Sequence, residues 1–362
     1  MTNNLSLNLH PNQQTDTTLE KTNVKKILSP LMKYGLPLVI TVGLCYLLFT
    51  GIDFNEMVAI IRRDCNFWWI GLALFISIFS HIFRAMRWRI QLQALGVDAP
   101  LLNLVYSIFG TYAVNLVFPR LGEVWRTGYI AQRQDAPFTT VFGSMVADRL
   151  ADTITVALLT VVTFLLASGA IMDFVQKNPE VYTGIVSLVS SPWIWAALAA
   201  CVAIGWWFFG YKTSNRFVLK IRKAIKELWE GFAVIVTMPG KGRWLLLTVL
   251  IWGCYFMQFY VAFYAFPFTA HIIGQYGAIA ALVGFALSSI SMGIPSNGGI
   301  GPWQIAVIFA LGIYGLDTTS AGAFANLVLG SQTLLLILLG IYTFTAIALE
   351  KRRHRARRAV KA

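Results

Sequence analysis

Residues 115–126 read NLVFPRLGEVWR, directly after the apolar run LLNLVYSIFGTYAV (101–114). That run has the character of a membrane helix, yet it stops on Pro119 and then meets Arg120, Glu123 and Arg126. Proline removes a backbone donor and ends a helix, and Gly122 lets the chain turn. Lipid offers no partner to bare N–H and C=O groups. Such a break is therefore tolerated only inside protein or beside a water-filled cavity. The segment predicts a helix that enters a membrane, breaks and returns.

Composition agrees. The chain is 57% hydrophobic and only 12% charged, with a mean hydropathy of +0.65, where soluble domains carry about a quarter charged residues. Helical runs of about 20 apolar residues cross a bilayer core, and full spans are predicted at 34–50, 67–83, 141–168, 192–210, 244–266 and 321–349. Two further segments are broken in the middle, 103–134 at FPRLGE and 279–316 at IPSNGGIGPW. The net charge of +13 reads as cytoplasmic basic loops facing anionic lipid, not as nucleic-acid binding. The four cysteines (Cys45, Cys65, Cys201 and Cys254) have no CxxC or Cys/His spacing, so neither a disulfide framework nor a metal site is expected. Residues 1–30 read as a disordered cytoplasmic tail, and the first span, lacking a cleavage signal, as an anchor.

Charge decides how the broken segments thread. Residues 211–243 hold eight Lys and Arg and residues 351–362 hold seven, against two in 51–66, one in 169–191 and none in 267–278 or 316–320. The positive-inside rule puts the N-terminal tail, 84–102, 211–243 and the C-terminal tail in the cytoplasm of a cell (inner or plasma) membrane. Were 103–118 a full crossing, every later segment would invert and the most basic loop would face outward. Parity thus predicts 103–134 as a re-entrant hairpin from the cytoplasm and 279–316 as one from the outside.

The expected fold is an all-α polytopic membrane protein of about six full spans plus two re-entrant helical hairpins. Span, span, hairpin, span over 34–168 recurs in opposite orientation over 192–349, an inverted repeat within a membrane domain of residues 31–350. Amphipathic connectors, FNEMVAIIRRD and RFVLKIRKAIKELWEG, correspond as well. Inverted repeats whose broken helices meet near the midplane are a transporter architecture.

The span after the first hairpin begins FGSMVADRLADTITVALL, with Asp148 and Asp152 one turn apart and Arg149 between them. Each such charge costs about 2.5–3.5 kcal/mol at a helix centre in lipid, so they are expected to face Arg120, Glu123 and Arg126 across a polar cavity. Arg84 and Arg87 could join them, although basic residues at a cytoplasmic helix end are equally ordinary anchors. In the second hairpin Gly298 and Gly299 expose backbone N–H groups before a half-helix. With Ser296, Asn297 and Gln304 they form a candidate anion site. A structural ion-pair scaffold in the first hairpin and a tight packed turn in the second are the plainer alternatives. His81 and His271 have no acidic or cysteine partners in the pattern and read as structural.

RAMRW (84–88), NLVFPRLGEVWR (115–126), DRLAD (148–152) and PSNGGIGPWQ (295–304), in this order, resemble the membrane region of the lysylphosphatidylglycerol synthase or flippase-like family. The resemblance covers about residues 30–350. It implies a functional set of Asn115, Arg120, Glu123, Arg126, Asp148, Arg149 and Asp152. It also implies movement of a lipid between leaflets in bifunctional relatives that carry a separate aminoacyl-transferase domain. This chain reaches Ala362 soon after its last span, so no such domain is expected. The family often has Glu at Asp148 and commonly has Glu at Gln304. The second departure puts a cationic or proton-coupled role at the outer hairpin in doubt.

The expected function is a lipid translocator that takes membrane lipids with an anionic or phosphate-bearing head group. No cofactor, no metal and no nucleic-acid partner are expected, and no catalytic residue is assigned. Two alternatives stand: an integral-membrane transferase acting on lipid or polyprenyl phosphate, and a membrane partner of a separate lipid-modifying enzyme.

Overall fold

The computed structural model describes residues 54–118, 120–210, 218–219, 222, 238–294, 296 and 298–361. The predicted span 34–50, the N-terminal tail, most of the amphipathic segment 216–231, Pro119 and Asn297 lie outside them. Among the described residues all regular structure is helical: α1 Phe54–Asp64, α2 Phe67–Ala94, α3 Leu101–Val117, α4 Leu121–Arg133, α5 Phe138–Leu166, α6 Ser168–Lys177, α7 Pro179–Ser190, α8 Pro192–Gly210, α9 Lys241–Ala262, α10 Pro267–Tyr276, α11 Ala278–Ser291, α12 Pro302–Ile313 and α13 Thr318–Lys361. Helices α2, α5, α9 with its 3-10 extension, and α13 are long and apolar enough to cross a membrane.

Local chemistry sets the boundaries. The Asn66 side chain accepts the Trp68 N–H at 3.1 Å and starts α2. Pro267 and Pro302 occupy the first turns of α10 and α12, where a missing N–H costs nothing. Gly277, at φ 67°, lets α11 leave α10 at 111°.

Two sequence expectations need correction here. The stretch 267–278, read as an outer connection, is helix α10 with Thr269, Ile272 and Ile273 buried. The connection 169–191 is likewise built of α6 and α7. Both were what remained between the predicted spans, and short helices of 10 and 12 residues fall below the length of a full crossing. Helix α2 also runs eleven residues past the predicted end at 83, to Ala94. Arg84, Arg87 and Gln91 mark no helix end because they turn into the protein.

The packing exchanges the two halves. Helices α2 and α9 lie antiparallel: the Asn66 N–H donates to the Ala265 carbonyl at one end, and Arg87 reaches Thr248 nearer the other. Helix α5 packs on α4 of the first hairpin and on α11 of the second, while α13 packs on α12 of the second and α3 of the first. Between membrane helices the attraction is close contact, not expulsion of water. Accordingly Gly340 of α13 lies directly against Ala113 of α3, and Phe324 of α13 is ringed by Phe259, Phe263 and Phe266.

The hairpin breaks meet. Arg120 Nη2 donates to the Gly293 carbonyl at 3.4 Å, and the space beside Gly298 is filled by Leu116.

Candidate functional site

Arg84 and Arg87 sit one turn apart on α2, and Asp148 and Asp152 one turn apart on α5. Spacing of three or four residues puts each pair on one helix face, and the two faces meet. Arg87 Nη2 lies 2.6 Å from Asp148 Oδ1 and 2.8 Å from Asp152 Oδ1. Arg84 Nη1 lies 2.7 Å from Asp152 Oδ2 and 3.5 Å from Asp148 Oδ2. Asp148, Arg87 and Arg126 are fully buried. Ions in such a place persist only with close partners, because desolvation costs several kcal/mol each.

Neutral side chains complete the shell. Arg87 Nη1 donates to Thr248 Oγ1 at 3.3 Å and its guanidinium lies over the Trp244 ring at 5.4 Å. Arg84 Nε donates to the Tyr255 hydroxyl at 3.3 Å, which lies 3.4 Å from that of Tyr112. The two aspartates are therefore gripped by α2, and α9 holds the arginines from behind.

The first hairpin brings a second layer. Asn115 on α3 accepts the Gly122 N–H at 2.8 Å and donates to Glu123 at 3.2 Å, tying both arms across the break. Glu123 Oε1 is 3.1 Å from Arg149 Nη2, and Arg149 Nη1 is 3.8 Å from Asp152. Arg126 is different. Among the described residues its nearest carboxylate oxygen is Asp148 Oδ2 at 3.7 Å, and none of its three guanidinium nitrogens has a hydrogen-bond partner there. The Trp88 ring stacks on it at 4.6 Å, and Trp88 is pinned by its own N–H to Ser144 Oγ at 3.0 Å.

Among the described residues Arg84, Arg87, Arg126 and Arg149 face Asp148, Asp152 and Glu123, so four positive charges against three negative leave one positive charge. The unmatched guanidinium with free donors is Arg126.

Of the residues singled out in the sequence, Arg84, Arg87, Asn115, Glu123, Arg126, Asp148, Arg149 and Asp152 come together. Arg120 does not. It caps α4 in the left-handed region, at φ 62°, and its exposed side chain goes to the second hairpin. In that hairpin Gln304 is buried and spent on structure: its Oε1 accepts the Gly301 N–H at 2.9 Å, and its Nε2 donates to Asn326. Gly298 and Gly299 have φ of 63° and 84°, and the half-buried Ser296 donates to the Ile294 carbonyl at 3.5 Å. Gln304 thus occupies the N–H of the residue that caps α12.

Trp88, Tyr112, Trp244, Thr248 and Tyr255 escaped the sequence reading. Trp88 had a signal, since it follows Arg87 and lies one turn beyond Arg84. The others lie on apolar spans, where aromatic residues pass for interfacial anchors.

The family described as the Lysylphosphatidylglycerol synthase TM region matches residues 35–340, which contain every residue of this network. The chain belongs to that family. It is a multi-pass membrane protein of a family tied to lipid-related processes. Among curated proteins, Glycosyltransferase AglD of Haloferax volcanii is 30% identical over 139 residues, 38% of this chain and 22% of the relative. The match thus spans about a fifth of that protein's length. No solved structure matches the chain. Like the resemblance noted in the sequence, the family match runs through both hairpins.

Proposed function

We propose that this member of the Lysylphosphatidylglycerol synthase TM region family moves a phospholipid or other lipid-phosphate between leaflets of the cell membrane, with both termini cytoplasmic. The observation that carries the reading is Arg126: fully buried, with no hydrogen-bond partner for its three nitrogens among the described residues, in a network whose described members leave one surplus positive charge. An anionic head group supplies both the missing acceptors and the missing charge. Arginine suits phosphate because its planar fork of donors matches two oxygens at once. Glu123 and Asn115 set the hairpin from which Arg126 projects, and the acyl chains remain in the bilayer. Relative movement of the antiparallel halves then alternates access to the site.

A second reading, a transferase acting on lipid or polyprenyl phosphate, draws support from the relative named a glycosyltransferase. The two separate in reconstituted vesicles of native lipid extract, by following transbilayer movement of labelled phospholipid. Movement that is lost in folded Arg126→Gln supports translocation. Absence of movement with every lipid, together with group transfer onto an added lipid phosphate, supports the transferase and overturns the translocator.

A further inference from the structure

His81 lies on α2 one turn before Arg84 and is 3% exposed. Neither of its ring nitrogens has a hydrogen-bond partner among the described residues. A neutral imidazole carries one donor and one acceptor, and folds seldom bury both unpaired. The ring's neighbours are Tyr112 and Phe109 from α3, at centroid distances of 4.7 and 6.1 Å, and Tyr255 from α9 at 6.5 Å. Arg84, one turn further along the same helix, is the nearest charged residue on α2.

These neighbours select a ligand class. A cationic group is opposed by Arg84. An anion gains little there, since Arg84 is already shared between Asp152 and Asp148. Hydroxyl groups fit: each both donates and accepts, as the imidazole and the phenols need. The Tyr112 and Tyr255 hydroxyls are only 3.4 Å apart and retain unused capacity, and aromatic faces pack well on the C–H surface of a polyol.

The location fits as well. Trp88, against which Arg126 stacks, is seven residues further along α2, about 10 Å of helix rise from His81. That is the scale of one polar head group. We propose that His81, with Tyr112 and Tyr255, forms a subsite for a neutral hydroxyl-bearing group, a vicinal diol of glycerol or ring-polyol type, on the same molecule whose phosphate meets Arg126. The proposal rests on the lipid-phosphate reading and adds the head-group chemistry to it.

Native mass spectrometry of the full chain in detergent tests it with three lipids of identical acyl chains. Phosphatidylglycerol carries an open diol, phosphatidylinositol a ring polyol, and phosphatidic acid neither. Wild type is expected to bind one of the first two about tenfold more tightly than phosphatidic acid, the difference expected of one or two hydrogen bonds. His81→Phe erases that preference and leaves phosphatidic acid binding unchanged. The better binder of the two identifies the source of the diol. Tyr112→Phe removes one hydroxyl without volume, so it carries the same test should His81→Phe fail to fold. Equal binding of all three lipids by wild type, or a preference that survives both variants, overturns the subsite and leaves the lipid-phosphate reading standing; His81 then bonds to structural water. Failure of all three to bind overturns the subsite and the phospholipid form of the lipid-phosphate reading.

Discussion

Arg87 bridges Asp148 and Asp152 through a single nitrogen, Nη2, at 2.6 and 2.8 Å. The bridge joins α2 to two successive turns of α5, and Asp148 carries Arg84 and Arg126 as well. Asp148→Asn keeps the volume and removes the charge that three guanidiniums share. Breaking a buried ion pair costs about 3–5 kcal/mol, because its partners stay buried and uncompensated. The variant is expected to unfold at markedly lower temperature in detergent. Arg63→Ala, which removes an exposed pair with Asp64, should shift unfolding by no more than about 1 kcal/mol. Equal stability of the two variants would contradict the buried network.

At Gly122, α4 lies directly against the backbone of α3. A Cβ there would collide with the Thr111 carbonyl and stand 2.7 Å from Asn115 Oδ1. Gly122→Ala therefore pushes the arms apart, breaks the Asn115 clamp and costs about 1–3 kcal/mol as overpacking. Gly128, on the same helix, has nothing within 4 Å of its notional Cβ. Gly128→Ala should be neutral or stabilise by up to about 1 kcal/mol, through helix propensity alone. Thermal unfolding of the two variants side by side checks this, with loss of lipid movement expected only in the first.

What could be read in advance had a common cause. Charges and prolines inside apolar runs stand out, so the break at 115–126 and the Asp148–Asp152 turn were legible, and the broken second hairpin with them. Arg84 and Arg87 were half-legible, since an anchor at a helix end and a buried ligand look alike until the opposing helix is known. Arg120 misled because chain proximity to Arg126 was taken for spatial proximity; one left-handed residue sends its side chain to the other hairpin. Tyr255 and Trp244 were illegible. Their role exists only through the antiparallel pairing of α2 with α9, and no pattern within α9 announces it. Helix α10 was hidden for another reason: its 10 residues fall below the length of a full crossing.

The contact between hairpin tips yields a third expectation. Gly298 has φ 63°, and a Cβ there would stand 2.8 Å from Leu116 Cδ2. Gly298→Ala carries two penalties, the backbone cost of about 1–2 kcal/mol and the collision with the first hairpin. Leu116→Ala added to it relieves the collision alone. Unfolding measured for both single variants and the double should show the double more stable than additivity predicts, while still below Leu116→Ala. Strict additivity would mean that the tips do not touch.

Gln304 supplies the last prediction, since the resembled family commonly has glutamate there. Its carbonyl oxygen accepts the Gly301 N–H, and its amide nitrogen donates to Asn326 Oδ1. Asn326 cannot turn its amide round without loss, because its own Nδ2 donates to the Gly322 carbonyl at 2.8 Å. Gln304→Glu thus sets a buried carboxylate oxygen against a carbonyl oxygen. An unsatisfied acceptor of this kind costs about 1–3 kcal/mol, more when charged, so the variant should lose stability as pH rises through and beyond the ordinary carboxylate range. Protonation restores a donor towards Asn326, so the loss should shrink as pH falls. Asn326→Asp combined with Gln304→Glu should be worse than either alone at neutral pH. Unfolding temperature against pH for the single variant decides the matter: a pH-independent result equal to wild type would mean that Asn326 turns freely and that the second hairpin accepts a carboxylate as readily as an amide.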